Sequence, residues 1–469
     1  MALSFASGRG ARRRRMLYKY FNAAHSPRTH TNEHGAVFAA TDVLTAEAQG
    51  TPRKRRGRFR SLSAIVLAVF LALCVNQAEG QAVGEVLPRW APGTLDIHRI
   101  STGRGDAVLY IFPDGTAMLV DPGAETEGPR VTRQRPDASR SPGEWVVRYV
   151  QHVLPHPSES ALDYALLTHF HADHMGGLVS SSPPSRSGQF KLSGITEVGE
   201  HIRIRKMLDR AWPDYNSPVP LTDPMVKNYQ AFLAWQIRHN GMRVERFQPG
   251  RNDQIVMLHA PRDYPQFEVR NVAASGEIWT GVGTATRQHF PPVEEAPPKG
   301  RPTENDCSIV FRIRYGNFDY FAGGDLPGGE DDGAPSWHDV ETPVAKVVGP
   351  VDVNVLNHHG SADAENEFFV RTLRPRVHVF SAWSTSHPDA CVLRRLLSTR
   401  LYPGARDIFA TNMSDANKLV VPELSKLKSD QGHIVIRVAE GGDTYRIMIL
   451  DDSAETYRII AVHGPYESR

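Results

Sequence analysis

Short apolar runs with polar corners begin near residue 94 and predict a series of strands. The runs at 94–100, 108–112 and 117–120 are separated by Gly- and Asp-rich turns, and another short apolar run at 165–167 follows. Between them, residues 144–154 have the amphipathic spacing of a helix. We therefore expect a strand–turn–strand meander, a helix, and a further buried strand.

The second half of the chain repeats this mixture of strands and helices. Because runs of strands occur in both halves with helices between them, we predict an α/β fold, in which two sheets pack face to face between outer helices in a four-layer αββα sandwich. The predicted elements are strands at 307–315, 318–321, 351–356 and 377–380, a helix at 365–373, and a hairpin of 434–438 with 445–450.

The middle of the chain has a different composition. Residues 181–302 contain one run of helical spacing at 228–240 and end in a proline-rich segment. We interpret this region as an insertion that covers the functional site. It separates the first half of the domain, 94–180, from the second half, 303–450, and a C-terminal tail follows at 451–469.

The first 80 residues have the character of a targeting segment. Residues 1–60 contain 13 basic and three acidic residues, and residues 62–75 are an apolar run of 14 residues. A bilayer span needs about 20 residues, so the segment 61–80 fits a signal peptide better than a full span. We expect secretion. A signal anchor with a basic cytoplasmic tail is the alternative. An over-extended start site, with Met16 as one possible true start, would also explain the long basic leader.

The formal net charge of the whole chain is +2, but the part beyond residue 80, which we call the body, is acidic. Beyond residue 80 the chain has 41 basic and 48 acidic residues. An acidic body gains little from releasing counterions on nucleic acid, so a polynucleotide substrate is possible but not favoured. The three cysteines do not suggest a disulfide scaffold.

Three histidines and one aspartate lie within six residues directly after the strand at 165–167. They are hard to explain as core packing, and imidazole and carboxylate ligands suit Zn²⁺ and also iron or manganese. The side chains of His169 and His171, two positions apart on an extended segment, can face one ion. Asp173 and His174 begin the next turn and can face a second ion. The cluster consists of His169, His171, Asp173 and His174.

This cluster resembles the His-x-His-x-Asp-His motif of the metallo-β-lactamase superfamily, and three further motifs follow the order of that family. The resemblance implies that Asp121 supports the metal site from behind and that Asp325 bridges two metals. It also implies that His359 is the last ligand, with the neighbouring His358 as alternative ligand or supporting residue. The three motifs are Leu119–Gly123, Ala322–Asp325 and Asn357–Ser361.

The family usually supplies one more histidine to the first metal site. None of the remaining histidines of the middle region stands in the expected context, so the sequence leaves open whether the centre holds two metals or one. The candidates for the additional ligand are His201, His239, His259 and His289.

The order of motifs over residues 94–450 is similar to the soluble domain of bacterial DNA-uptake competence proteins of the ComEC type. It includes the Gly103–Ala107, Asn305–Val310 and His387–Pro388 segments. The resemblance to the domain implies hydrolysis. The membrane channel of those proteins has no counterpart here, so DNA transport does not carry over.

These observations predict a metal-dependent hydrolase that binds one or two zinc ions and uses a metal-activated water. Asp173 orients the water or accepts its proton, and His387 donates a hydrogen bond to the substrate. The competence-type resemblance implies a phosphodiester-type substrate, and the acidic body suits another small molecule at least as well. The alternatives are an ester, lactone or amide hydrolase, an iron-dependent thiol oxygenase, and a non-enzymatic ligand-binding relative. Membrane contact would involve only residues 61–75, if uncleaved, and the oligomeric state is unknown.

Overall fold

A computed structural model describes residues 82–155, 161–293, 300–329 and 335–469. The predicted basic leader and signal segment lie outside the described residues. No helix in the described ranges combines the length and apolar character needed to cross a membrane.

The first sheet contains nine strands in the order β17-β16-β15-β1-β2-β3-β4-β5-β6. The strands from β3 to β6 run parallel to one another, whereas the remaining neighbours pair antiparallel. The bounds are β1 Leu95–Arg99, β2 Val108–Ile111, β3 Ala117–Val120, β4 Ala161–Leu166, β5 Arg203–Asp209, β6 Arg243–Arg246, β15 His433–Val438, β16 Thr444–Leu450 and β17 Ile459–Glu467.

The second sheet contains eight strands in the order β14-β13-β12-β11-β10-β7-β8-β9. Here β11 to β14 run parallel and the others pair antiparallel. The bounds are β7 Phe267–Ala274, β8 Glu277–Trp279, β9 Thr286–Gln288, β10 Val310–Tyr315, β11 Phe318–Ala322, β12 Val353–Val355, β13 Val377–Phe380 and β14 Asp407–Ala410.

Helices cover the outer face of each sheet. The described helices are α1 Pro142–Val153, α2 Ala172–Met175, α3 Ile195–His201, α4 Pro224–Asn240, α5 Glu341–Val348, α6 Glu367–Leu373, α7 Ala390–Leu396 and α8 Asp415–Val420. Local signals explain where they begin and end. The Ser141 hydroxyl accepts from the Glu144 N–H at the start of α1, and Gly241 at φ +64° ends α4.

The alternation of side chains along each strand builds three hydrophobic layers. In β2, Leu109 and Ile111 pack against the helices α1, α3 and α4, whereas Val108 and Tyr110 enter the core between the two sheets. A third cluster lies between the second sheet and the helices α5, α6 and α7. The predicted four-layer αββα arrangement is confirmed.

The structure differs from two predicted boundaries. Residues 181–302, expected to be an insertion, supply β5 and β6 to the first sheet and β7 to β9 to the second. Residues 451–469, expected to be a tail, contain β17, which pairs with β16. Several of these strands lie at sheet edges and are half-exposed, such as β6 and β9. Edge strands carry polar residues, so the apolar pattern used for the prediction does not reveal them.

Candidate metal centre

The residues expected to bind metal lie where parallel strands of both sheets end. Asp121 follows β3 and His169 follows β4, while Asp325 follows β11 and His359 follows β12. The carboxyl ends of parallel neighbours meet at one edge of a sheet, which is where α/β proteins place their ligands. Each half of the domain therefore brings its polar residues to this edge.

Four side chains of this edge converge into what we call the four-residue group: Asp173, His174, Asp325 and His359. His359 Nε2 lies 3.0 Å from Asp173 Oδ2 and 3.5 Å from Asp325 Oδ1. His174 Nε2 lies 3.3 Å from Asp173 Oδ2 and 3.0 Å from Asp325 Oδ1. Ligands of a tetrahedral zinc ion are roughly 3.4 Å apart. The spacing therefore fits one ion bound by all four.

The hydrogen-bond partners of Nδ1 in His174 and His359 determine whether Nε2 of each ring can bind a metal ion. His174 Nδ1 lies 2.9 Å from Asp121 Oδ2, and His359 Nδ1 lies 3.0 Å from the carbonyl oxygen of Ser381. Both partners are acceptors, so both rings carry their hydrogen on Nδ1 and, when neutral, direct the lone pair of Nε2 into the group. Two lone pairs and two carboxylates then face one another while buried. Such a set of acceptors is stable only with a cation among them, either a proton on an imidazole or a metal ion.

The charges favour a cation at the same place. Burial opposes a charge on His174, but Asp325 and Asp173 outweigh this effect and raise the pKa of His174 well above its usual value. Burial also opposes ionisation of Asp325, yet His174 and His359 hold its pKa well below the usual range. The carboxylates thus stabilise positive charge at the centre of the group, which is the contribution that a bound metal would make.

A second set of ligands, the three-residue group, consists of His169, His171 and Asp325. His169 Nε2 lies 3.1 Å from His171 Nδ1 and 3.6 Å from Asp325 Oδ2. Burial lowers the pKa of His169 well below its usual value, which leaves the ring neutral and able to bind metal. Asp325 therefore faces both groups, with a different oxygen toward each.

None of the four histidines considered as an additional first-site ligand belongs to either group. His201 and His239 are exposed, at or near the ends of α3 and α4. His259 Nε2 lies 3.3 Å from Asp163 Oδ2, and His289 packs beside Phe290. In the part of the chain that the structure describes, the three-residue group therefore has no fourth side chain.

Asp121 connects the two groups from behind. Its Oδ1 accepts from the Thr168 N–H at 2.7 Å, and its Oδ2 accepts from the Thr168 hydroxyl at 2.6 Å. The Thr168 oxygen in turn lies 3.1 Å from His169 Nδ1. Because Asp121 also holds His174, a single buried carboxylate orients one histidine of each group.

Close backbone packing holds the segment that carries Asp173. A Cβ on Gly123 would lie 1.7 Å from the carbonyl oxygen of Asp173, and a Cβ on Gly105 would lie 2.2 Å from it. The Asp106 N–H donates to this carbonyl at 2.8 Å, and the Asp106 carboxylate accepts from Arg99 Nη1 at 2.7 Å. The sequence motif contained Asp106, but the sequence alone assigned it no role.

The turn that carries the last ligand has an unusual backbone. His358 and His359 have φ values of +46° and +53°, a region that non-glycine residues adopt only when their surroundings hold them. Two buried glutamates supply that support. The Asn357 N–H donates to Glu365 Oε1 at 3.0 Å, and Asn357 Nδ2 donates to Glu341 Oε1 at 2.8 Å. Sequence reasoning missed both glutamates, since their contact with the turn depends on the packing of α5 and α6.

His358 lies beside the groups and belongs to neither. Its Nδ1 is 2.8 Å from Asp363 Oδ1, and its Nε2 is 3.3 Å from Asn305 Nδ2 and 3.8 Å from Asp325 Oδ2. Burial lowers the pKa of His358, but Asp325 and Asp363 outweigh it and raise the value to about 9. Of the two neighbouring histidines, only His359 joins the convergent ligand atoms.

His387 and Trp383 follow β13 and pack against His359. The rings of His387 and His359 stack with centroids 4.7 Å apart. His387 Nδ1 is buried and finds no hydrogen-bond partner among the described residues. The indole Nε1 of Trp383 donates to His359 Nε2 at 3.3 Å. The structure therefore brings His387, expected to act on the substrate, to the edge of the four-residue group.

Phe170, between the ligands His169 and His171, is hydrogen-bonded to Glu304 in the second half of the domain. The Phe170 N–H donates to Glu304 Oε1 at 2.9 Å, and the buried Arg210 donates to both oxygens of Glu304. No local sequence signal pointed to this ion pair, because its members lie far apart along the chain.

Comparison with known proteins agrees with this architecture. Residues 101–180, which include Asp121 and the histidine cluster, match the family model described as the Metallo-beta-lactamase superfamily. The similarity to this superfamily is therefore shown for residues 101–180. No curated protein sequence matches the chain. The closer resemblance to the competence-type branch stays a prediction.

Three solved structures are similar to this chain. A mutant of the CmlA beta-hydroxylase is 13% identical with a TM-score of 0.34, and the match covers 75% of this chain and 55% of that one. The metallo-beta-lactamase fold protein YhfI from Bacillus subtilis is 13% identical with a TM-score of 0.32, covering 74% and 98%. A diphosphatase from the PhnP family is 11% identical with a TM-score of 0.29, covering 74% and 98%. At these TM-scores the similarities carry no argument about activity.

Proposed function

We propose that this protein is a metal-dependent hydrolase, with zinc as its metal and a phosphodiester as its substrate class. The observation that supports the proposal is the four-residue group, in which the Nε2 atoms of two histidines and two carboxylates converge. Ligand separations of 3.0–3.5 Å suit a single ion coordinated by Asp173, His174, Asp325 and His359. His169, His171 and Asp325 would hold a second ion.

The metal, when bound, would act as a Lewis acid and lower the pKa of a water molecule toward neutrality. The side chains of the chain would supply the remaining steps. Asp121 and the carbonyl of Ser381 keep the ligand histidines in the required tautomer. Asp173 would orient the attacking water and accept its proton, and His387 would donate a hydrogen bond to the oxygen that gains negative charge.

Substrate choice is tested with three model compounds and the zinc-loaded protein. We expect turnover of bis-p-nitrophenyl phosphate at a higher kcat/KM than that of p-nitrophenyl acetate or a lactone. Turnover of only the carboxyl esters or the lactone would replace the phosphodiester proposal with the carboxyl-ester alternative on the same site.

The dependence on metal is tested by substitution of a ligand. His169→Ala removes one member of the three-residue group and should abolish hydrolysis. His239→Ala is the matched control, because His239 is exposed near the end of α4 and belongs to neither group. Full activity of His169→Ala would rule out the proposed mechanism.

A second candidate function follows from the composition of the three-residue group. Two histidines and one carboxylate form the ligand set of many non-haem iron oxygenases, and His169, His171 and Asp325 match that set. Metal analysis of the purified protein decides between the two. Bound iron together with oxygen uptake in the presence of a thiol would favour oxidation, whereas bound zinc and no oxygen uptake would favour hydrolysis.

A further inference from the structure

The indole of Trp383 directs its N–H at the four-residue group. Nε1 donates to His359 Nε2 at 3.3 Å. The same Nε2 lies 3.0 Å from Asp173 Oδ2 and 3.3 Å from His174 Nε2. The donor therefore points at the nitrogen through which His359 would bind a metal ion.

Several contacts hold Trp383 in this orientation. Its carbonyl oxygen accepts from the Thr132 N–H at 2.8 Å, and the next residue, Ser384, forms a β-bridge with Val131. The indole ring packs edge-on against His387, with centroids 4.8 Å apart and planes at 83°. The N–H is thus placed before any ligand arrives, which lowers the entropy cost of using it.

One lone pair cannot accept a hydrogen bond and bind a metal at the same time. His359 Nδ1 already donates to the carbonyl of Ser381, so Nε2 has a single lone pair to offer. Once the metal uses that lone pair, the indole N–H at the edge of the site needs another acceptor, and a partly buried donor without one is unfavourable.

We propose that Trp383 donates a hydrogen bond to an oxygen of the bound substrate, and so acts as a substrate-binding residue of this site. The inference rests on the proposed function. An uncharged donor suits the non-bridging oxygens of a phosphodiester, which share one negative charge, or a carbonyl oxygen. Arg99 and Arg210, two buried cations of the surrounding structure, are already engaged by Asp106 and Glu304.

The test compares zinc-loaded wild type with Trp383→Phe, which keeps an aromatic ring and removes the N–H. Inorganic phosphate serves as the oxyanion probe, and its affinity is measured by calorimetry. Zinc affinity is measured separately by competition with a chromophoric chelator. Trp279→Phe is the matched control, because Trp279 donates to the Gly283 carbonyl and lies in β8 outside both groups.

We expect Trp383→Phe to weaken phosphate binding about ten-fold while zinc affinity and the melting temperature stay close to wild type. The control should change neither affinity. Unchanged phosphate affinity would overturn the inference and leave the hydrolase proposal intact. A parallel loss of zinc affinity would also overturn it, since Trp383 would then act only by supporting His359. A wild type that binds no zinc would overturn the proposed function itself.

A measurement on the wild type provides a second test that does not depend on folding of the variant. In zinc-loaded protein labelled with ¹⁵N at the tryptophan indoles, the Trp383 N–H signal should move downfield when phosphate is added. An indole spectrum that phosphate leaves unchanged would contradict the inference.

Discussion

Replacement of Asp121 by asparagine should weaken zinc binding at the metal centre without removing a ligand. In the wild type, the Asp121 carboxylate accepts from His174 Nδ1 at 2.9 Å and from the Thr168 N–H and hydroxyl. In Asp121→Asn, one oxygen becomes an NH₂ group, which can only donate. If it faces His174, the ring keeps its hydrogen on Nε2, where it blocks the lone pair needed by the four-residue group.

The expected loss of zinc affinity follows from the hydrogen bond between His174 and the Asp121 carboxylate that the substitution removes. A hydrogen bond to a charged acceptor contributes roughly 1.5–3 kcal/mol, and about 1.4 kcal/mol corresponds to a ten-fold change in affinity. We therefore expect Asp121→Asn to weaken the tighter zinc site about 10- to 100-fold, which agrees with the effect of losing the partner of a ligand histidine. Zinc affinity is measured near neutral pH by competition with a chromophoric chelator.

Asp209→Asn is the matched control for placing an amide in the interior. Asp209 is also buried and accepts from the hydroxyls of Tyr215 and Tyr229, but it belongs to neither group. This variant should lose stability and keep its zinc affinity within about two-fold, because none of the side-chain hydrogen bonds of Asp209 reaches a ligand residue. An Asp121→Asn variant with wild-type zinc affinity would refute the tautomer argument.

Three further predictions concern metal content and stability. Zinc titration should show two steps, and His169→Ala should remove the weaker one, because the three-residue group has fewer ligands; a single unchanged isotherm would contradict this. His359→Ala should lose the tighter step by the same titration, whereas His358→Ala should keep it. Burial alone would raise the pKa of Asp96, but Arg437 lowers it to about 2, so this pair stabilises the protein above the unfolded-state pKa. In urea unfolding, the wild type should therefore lose about 2 kcal/mol more than Asp96→Asn as the pH falls from about 4 toward 2, and an equal loss in both proteins would contradict this.

The elements of the fold that could be predicted from the sequence are those whose own residues form a recognisable pattern. The strand at 117–120 and the strand at 377–380 have the predicted bounds, because each is a short apolar run between turn residues. The helix at 228–240 was recognised but begins earlier, at Pro224, where Asp223 caps it. The edge strand Ile459–Glu467 was missed because half-exposed strands carry no continuous apolar pattern.

The residues of the candidate site also divide into those with a local sequence signal and those without one. His169, His171, Asp173 and His174 lie within six residues, so their spacing and residue types alone indicated a metal centre. Glu304 gave no signal, since its role depends on contacts with Phe170 and Arg210 that lie far away along the chain.

By itself, the sequence determined the strand runs of both halves and the identity of the side chains able to bind a metal, because these are properties of neighbouring residues. Only the tertiary structure decided which of His358 and His359 faces the four-residue group. That choice depends on a left-handed turn held by Glu341 and Glu365. Likewise, only packing placed the Trp383 N–H against a ligand nitrogen. A hydrogen bond depends on distance and direction in space, and residues far apart in sequence acquire both only when the two sheets pack.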